Sequence, residues 1–363
     1  MIKGRPAGAG KPGELAALRY ASWTYVDLIE RKAPARTTRP LQMLTAENSM
    51  DVRSALKDGI ARLREAEVPS FTLAAEVLLL HVLGRERAWI YAHPEDPVSD
   101  AEALRFFGLI ERRAAGEPTQ HLTGKQEFWG LEFEVTREVL IPRPETEHVI
   151  EVALDRLALR ELRAGRSNKS DGAGLRIADV GTGSGCIAVA LAKELAGAQL
   201  VATDISAAVL AVARRNADRH GVAERIGFLE GHLLEGLENL ATRGQHAAPL
   251  QRGATAAFDL IVSNPPYVGR REAATLTREV RDHEPELALY GGEEGYELYG
   301  ELIRQSAEQL KPGGILVLEL GHNSLAAVEP LLDSARWSNV GVTNDLAGIP
   351  RVVAAERAAT KPR

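Results

Sequence analysis

Three glycines spaced by two lie between an apolar run and a helix-patterned run: Ala178-Asp179-Val180-Gly181-Thr182-Gly183-Ser184-Gly185, then Cys186 onward. Such a loop lets the backbone turn tightly and be approached closely by a ligand at the C-terminal end of a strand. It needs a buried strand before it and a helix after it, and the flanking pattern supplies both. Residues 175–180 read as a first strand, 186–195 as a first helix, 199–203 as a second strand and 207–220 as the next helix. A central strand follows at 258–263, a helix at 296–310, a further strand at 314–320, and short β-rich pieces near Val340 and Val352. Strands alternating with helices build a mostly parallel sheet covered on both faces, so the expected class is α/β and Rossmann-like.

The glycine spacing narrows the ligand. Dinucleotide sites place the third glycine three residues after the second, whereas here Cys186 stands at that position and Gly185 comes one residue early. Gly181, Gly183 and Gly185 better suit S-adenosylmethionine, which has no pyrophosphate to seat on a helix N-terminus. Asp204 ends the second strand about twenty residues later, where a carboxylate can accept hydrogen bonds from both ribose hydroxyls. The competing reading makes the glycines a packing turn and Asp204 only the N-cap of the next helix. Cys186, the only cysteine, has no evident partner base and is expected to pack behind the loop rather than react.

The strand at 258–263 leads directly into Asn264-Pro265-Pro266-Tyr267. Two prolines stiffen the turn and remove backbone donors, leaving carbonyl acceptors, and Asn264 adds a side-chain acceptor. A planar NH₂ group can donate to both, which orients its nitrogen toward an electrophilic methyl. Tyr267 is expected to stack on the flat group. The motif therefore points to methyl transfer to nitrogen, with Asn264, Pro265 and Tyr267 as the catalytic set and Asn264 to Tyr267 as the substrate-binding turn. Positioning does most of the catalysis, and no strong base is required.

Before the sheet, residues 1–49 form an extension rich in glycine, proline and basic residues, with a helical pattern only over 15–29. Met43 and Met50 precede the first well-patterned helix, so a downstream start and a functional tail are both open readings. From 50 to 125 apolar residues recur at helical spacing (Val52, Ala55, Leu56, Ile60, Leu63, then Leu73, Ala74, Val77, Leu78), which reads as a small helical domain. Its third helix is expected over 101–115, capped by Asp100 and stopped by Gly116. Alternation over 128–140 around Trp129-Gly130 suggests a β-hairpin within a linker at 126–147, ahead of a catalytic domain at 148–357. Polar stretches at 164–174 and 242–256 read as a loop and a surface insertion.

The formal net charge of −6 disfavours a broad phosphate-binding surface, and no apolar run approaches the length needed to span a bilayer. Without a secretory signal pattern, and with one cysteine, the chain is expected to be cytoplasmic, without a disulfide or cysteine-built metal site, and in contact with neither membrane nor nucleic acid. A monomer is expected.

Several stretches carry a family likeness: Gly116-Glu117-Pro118-Thr119-Gln120-His121-Leu122-Thr123-Gly124, Phe128-Trp129-Gly130, Leu140-Ile141-Pro142-Arg143-Pro144-Glu145-Thr146-Glu147, the 264–267 turn, and Asp345-Leu346-Ala347-Gly348-Ile349-Pro350-Arg351-Val352-Val353. From about Met50 to Ala355 the chain resembles the bacterial release-factor glutamine methyltransferases, which methylate the side-chain amide of the glutamine in the Gly-Gly-Gln loop of peptide chain release factors. The resemblance implies a class I methyltransferase fold with a seven-stranded sheet, a helical domain that grips the release factor, and S-adenosylmethionine as cofactor. It implies that Gly181, Thr182, Gly183, Ser184, Gly185, Asp204 and Asn264 bind that cofactor, and that Asn264 to Tyr267 hold the glutamine. Pro142 to Glu147 would lie near the cofactor or the substrate entrance. The chain departs from the family at His232, within Glu230-Gly231-His232-Leu233, where an acid beside the adenine pocket is usual. His232 and Leu233 are the residues that would contact adenine there.

Three other readings use the same motifs. A ribosomal-protein glutamine methyltransferase shares the chemistry. A DNA adenine methyltransferase would flip its base into the pocket but needs a basic recognition region. A non-catalytic assembly scaffold would have no need of an intact 264–267 turn.

Overall fold

The computed structural model describes residues 50–164, 171–237 and 258–359. The extension over 1–49 and the insertion over 242–256 lie outside these residues, as does most of the loop over 164–174. The chain divides into two compact units, Met1–Phe107 and Gly108–Arg363.

In the first unit, helix α1 (Val52–Glu65) starts at Asp51, whose side chain accepts from Ser54 N at 2.7 Å, a standard N-cap. It buries Val52, Ala55 and Leu63, and α2 (Phe71–Leu83) buries Ala74, Ala75, Leu78 and Leu79. Glu76, buried in α2, accepts from Tyr91 Oη at 2.6 Å and from Arg87 at 3.2 Å, so its carboxylate is paired. Short α3 (Arg87–Ala92) supplies both partners. Helix α4 (Asp100–Ala114) crosses the division between the units. Its cap is Ser99, not Asp100: Ser99 Oγ accepts from Glu102 N at 3.3 Å while Glu102 accepts from Ser99 N at 2.9 Å. The reciprocal pair Ser-x-x-Glu outcompetes a lone aspartate, which becomes the first helical residue.

The second unit continues with α5 (Thr119–Thr123) and the hairpin β1 (Lys125–Phe128) and β2 (Leu131–Glu134). The hairpin is shorter than the alternation over 128–140 suggests. Trp129 and Gly130 both have positive φ (56° and 70°) and form a tight two-residue turn, so they end the strands rather than continue them. The apolar residues beyond, Val135 and Val139, pack instead on Val209 and Val212.

The main sheet has seven strands in the order β10-β11-β9-β6-β3-β4-β5. These are β3 (Arg176–Val180), β4 (Gln199–Asp204), β5 (Ile226–Glu230), β6 (Phe258–Ser263), β9 (Leu310–Glu319), β10 (Trp337–Asn344) and β11 (Pro350–Arg357). The first five are mutually parallel, and β11 and β10 close one edge antiparallel. Alternate residues serve opposite faces. Ile177, Leu200, Leu260 and Val317 meet α6 (Glu147–Arg163), α7 (Cys186–Glu194) and α8 (Ala207–Arg219) in one core. Ala178, Val201, Ile261 and Leu318 meet α11 (Glu297–Gln309) and α12 (Leu325–Val328) in the other. This is the class I methyltransferase fold. Periodicity alone does not mark α6 and sets no bounds for β5. Between β6 and α11 lie α9 (Arg278–His283), α10 (Glu286–Leu289) and the two-stranded pair β7 (Val268–Gly269) and β8 (Tyr290–Gly292).

Glu117, at the start of the Gly116–Gly124 stretch, is buried and takes two hydrogen bonds from Arg112, at 2.8 and 2.7 Å, and one from Arg137 at 2.7 Å. The Arg112 hydrogen bonds above all hold its carboxyl down at about 2, against an ordinary 4.5. A depressed folded-state value stabilises the fold above the ordinary value, and that stabilisation is lost as pH falls through the folded one. Glu117→Gln is therefore expected to lower the urea midpoint at pH 7 and to lose that deficit between about pH 4.5 and pH 2. A deficit that persists unchanged at the acid end would contradict this assignment.

Candidate functional site

The C-terminal ends of β3, β4 and β6, with the segment 138–146 and the turn after β5, enclose a cavity of about 380 Å³. That volume is in the range of small-molecule sites. Its floor is the glycine loop. At the end of β3 the fully buried Asp179 accepts from Thr182 Oγ1 at 2.6 Å and from Ala188 N at 3.1 Å, which pins the loop to the first turn of α7. Burial pushes the Asp179 carboxyl up to about 7. Gly181, Gly183 and Gly185 have φ of +69°, +56° and +82°, conformations side chains disfavour. At Gly185 a Cβ would also stand 3.1 Å from Ala213 Cβ and 3.2 Å from its Cα, so this glycine lets α7 and α8 approach. Gly181, Thr182, Gly183 and Ser184 line the cavity, but Gly185, expected among the cofactor-binding residues, is not on its wall, because it packs against Ala213.

Asp204, at the end of β4, accepts from Gly183 N and Ser206 N, each at 3.1 Å, and lines the cavity with acceptor capacity to spare. Burial raises its carboxyl, opposed chiefly by the Gly183 hydrogen bond. It is not the N-cap of α8. Ser206 is, accepting from Val209 N at 3.4 Å. His232 and Leu233 are also on the cavity wall, His232 with a 45% exposed side chain 3.7 Å from Glu235. Beside them Ile205 is 55% exposed and Leu287 73%, apolar surface at the rim that invites a flat ligand. Cys186 also lines the cavity, but burial pushes its thiol up to about 12, so it is protonated and no nucleophile.

The turn after β6 is divided. Asn264 and Pro266 line the cavity; Pro265 is buried behind it, and Tyr267 is not on its wall. Instead of standing free to stack, the Tyr267 ring packs on the core beneath the sheet, and its hydroxyl donates to Glu319 Oε1 at 3.2 Å. Asn264 Nδ2 donates to Thr146 Oγ1 at 3.1 Å. Its Oδ1 is buried and has no hydrogen-bond partner. An orphaned acceptor of this kind costs free energy unless a ligand fills it. Thr146 and Pro142 line the cavity too, which brings the Pro142–Glu147 stretch to the site, as proximity to the cofactor or substrate requires.

Sequence reasoning missed Glu319, Asn216 and the parts played by Asp179 and Thr146. Asn216 is fully buried on α8 and donates to Ser184 O at 2.8 Å and Glu134 O at 3.0 Å, while its Oδ1 accepts from Glu134 N at 2.7 Å. It ties hairpin, helix and glycine loop together. The one available signal for Glu319 is an acid closing the otherwise apolar run Ile315–Leu318. Among the described residues no His, Cys, Asp and Glu cluster could hold a metal, and no helix is long and apolar enough to cross a membrane.

The glycine loop, the spare acceptor of Asp204 and the apolar rim fit S-adenosylmethionine. Asp204→Ala is expected to weaken S-adenosylhomocysteine binding, measured by calorimetry, by about 10- to 100-fold, as hydrogen bonds to a charged acceptor are lost. Affinity within about twofold of wild type would remove Asp204 from the ligand site.

Comparison with known proteins agrees with this geometry. Residues 54–124 match the family model described as PrmC N-terminal domain, and residues 171–340 match one described as Methyltransferase domain. The chain is 41% identical over 304 residues to a protein of Koribacter versatilis named "Release factor glutamine methyltransferase", covering 84% of this chain and 98% of that one. Proteins of the same name from Chlorobaculum tepidum (42% identical, 82% and 95% covered) and Deinococcus radiodurans (41%, 85% and 99%) are similarly related.

Proposed function

The chain belongs to the release factor glutamine methyltransferases, and from that premise we propose how its cavity performs the family's reaction. The enzyme transfers a methyl group from S-adenosylmethionine to the side-chain amide nitrogen of a release-factor glutamine, which we take to be that of the Gly-Gly-Gln loop. The observation that carries the reading is Asn264 on the cavity wall, its Nδ2 given to Thr146 and its buried Oδ1 left without a hydrogen-bond partner.

When bound, S-adenosylmethionine supplies an electrophilic methyl group on a sulfonium centre. The glycine loop 181–184 and Asp204 would hold it, Asp204 by accepting from the ribose hydroxyls, and Ile205, His232 and Leu233 would take the adenine. Asn264 Oδ1 then accepts one N–H of the glutamine amide, and a main-chain carbonyl of the 264–267 turn accepts the other, since neither Pro265 nor Pro266 offers a backbone donor. With both hydrogens held, the nitrogen is fixed with its lone pair facing the methyl group, and alignment supplies most of the acceleration. As that lone pair forms the new bond to the methyl carbon, the methyl–sulfur bond breaks with its electrons left on sulfur as the thioether of S-adenosylhomocysteine, and the nitrogen, now acidic, gives a proton to a nearby acceptor. Tyr267, its hydroxyl given to Glu319, stiffens the turn from behind.

The helical segment 50–125 is assigned to gripping the release factor, and the cytoplasm, where release factors work, to the site of action. We take the enzyme to act as a monomer on a protein substrate, without direct nucleic-acid contact; the net charge of −6 supports the last point.

The test uses purified protein, methyl-labelled S-adenosylmethionine and, separately, a release factor, the same factor with its Gly-Gly-Gln glutamine replaced, ribosomal proteins and DNA. Label is expected on the unaltered factor alone, and Asn264→Ala is expected to lower kcat by about 100- to 1,000-fold, as for loss of one aimed hydrogen-bond partner. Label on ribosomal protein or DNA would overturn the substrate; equal label with Asn264→Ala would overturn the site.

A further inference from the structure

Three segments of the chain meet around Asn264, and each is tied to the next. The turn after β6 is bound to segment 138–146 by the hydrogen bond from Asn264 Nδ2 to Thr146 Oγ1. That segment is bound to the stretch 284–292 by Arg143, which donates to Glu284 Oε1 at 2.5 Å; the Glu284 side chain is 1% exposed, so water does not compete for this contact. The stretch 284–292 returns to the turn through β7 and β8, where Val268 pairs with Tyr290. There the backbones lie close together: a Cβ at Gly291 would collide with the Pro266 carbonyl oxygen, and one at Gly295 with that of Tyr267. The result is a closed ring of segments, and all three line the cavity, through Pro142, Pro266 and Leu287 among others.

Within the ring, α10 and its flanks are held almost residue by residue. Glu286 accepts from Arg270 at 3.3 Å, and the same guanidinium lies 4.8 Å from the centre of the Tyr290 ring. Leu289 is buried, and Ala288 N donates to Pro285 O at 3.0 Å. Leu287 is the exception: it is on the cavity wall, yet 73% exposed. A single exposed leucine is ordinary on a protein surface. On a fixed support at the mouth of a binding cavity it has a consequence, because a partner can cover that apolar area without first ordering the segment that carries it.

The features that fit the cofactor lie at the ends of β3 and β4, where the glycine loop and Asp204 stand, with Ile205 next in the chain. Leu287 belongs instead to the ring that carries Asn264, and a glutamine side chain has to pass that ring to reach Oδ1. We propose that Leu287 is a contact for the protein substrate, packing on the main chain of the release-factor loop beside the target glutamine rather than on the cofactor. Glycines next to the glutamine bring no Cβ between the two, so the loop backbone can lie directly on the leucine. The role is one of binding and adds no step to the transfer.

The inference rests on the release-factor reading, and its test separates the two. For wild type, Leu287→Ala and Leu287→Asp, the Kd is measured for the release factor at saturating S-adenosylhomocysteine and, separately, for S-adenosylhomocysteine alone. The side chain stands mostly in solvent, so neither substitution removes a core contact. Leu287→Ala is expected to weaken the release factor about 10-fold, as for loss of one covered leucine, and Leu287→Asp to weaken it further. S-adenosylhomocysteine is expected to bind within about twofold of wild type in both. A release-factor Kd that stays within about twofold of wild type in Leu287→Asp would overturn the proposal. So would S-adenosylhomocysteine binding weakened by more than about twofold, which would give the leucine to the adenine. A wild type that neither binds nor methylates the release factor would overturn the reading beneath, and this inference with it.

Discussion

The parallel register of three strands governs everything at the site. Val180 pairs with Ser263, and Ser263 with Leu318, so β3 and β6 end level and β9 runs one residue further, to Glu319. The next residues, Gly181, Asn264 and Glu319, therefore lie together at one edge of the sheet: a glycine loop, a cavity-lining amide and a buried acid. Ser263 Oγ donates to Val180 O at 2.7 Å and ties the first two ends together. Because strand side chains alternate, a slip of one residue would turn each strand's apolar set to the wrong core, and the two cores on opposite faces forbid it. The site is positioned by the hydrophobic pattern of strands that never touch a ligand.

At that edge the protein keeps polar groups in places where burial is unfavourable. Asp179 and Glu319 are both fully buried acids, and each has one oxygen without a hydrogen-bond partner, as has Asn264. Their roles differ. Asp179 braces the loop through Thr182 and Ala188, Glu319 takes the Tyr267 hydroxyl, and Asn264 lines the cavity. Stability given up at such groups is typical of sites where arrangement matters more than packing.

What the sequence revealed and what it hid divide along the range of the interactions. The glycine loop, Asp204 and Asn264-Pro265-Pro266-Tyr267 were legible because each is a short run whose chemistry follows from its own residues at a strand end. So were β6, α7 and α8, whose periodicity is strong. Asn216 and Glu319 were not, because their partners lie 82 and 52 residues away and nothing local marks them; the stretch holding Thr146 was marked by family likeness, but its bond to Asn264, 118 residues away, was not. Tyr267 looked like a stacking ring from its motif, yet the space beneath the sheet and the Glu319 carboxylate claim it. The hairpin and the α4 cap went astray for local reasons, positive φ at Trp129 and a serine one position earlier that pairs with a glutamate.

The central claim is that the free acceptor of Asn264 receives the substrate amide. A crystal structure of the protein with S-adenosylhomocysteine and a peptide carrying the Gly-Gly-Gln loop tests it most directly. The account predicts the glutamine Nε2 within hydrogen-bond distance of Asn264 Oδ1, with Asn264 Nδ2 still on Thr146. A glutamine amide bound elsewhere in the cavity, or Asn264 Oδ1 bonded to the cofactor analogue instead, would contradict it.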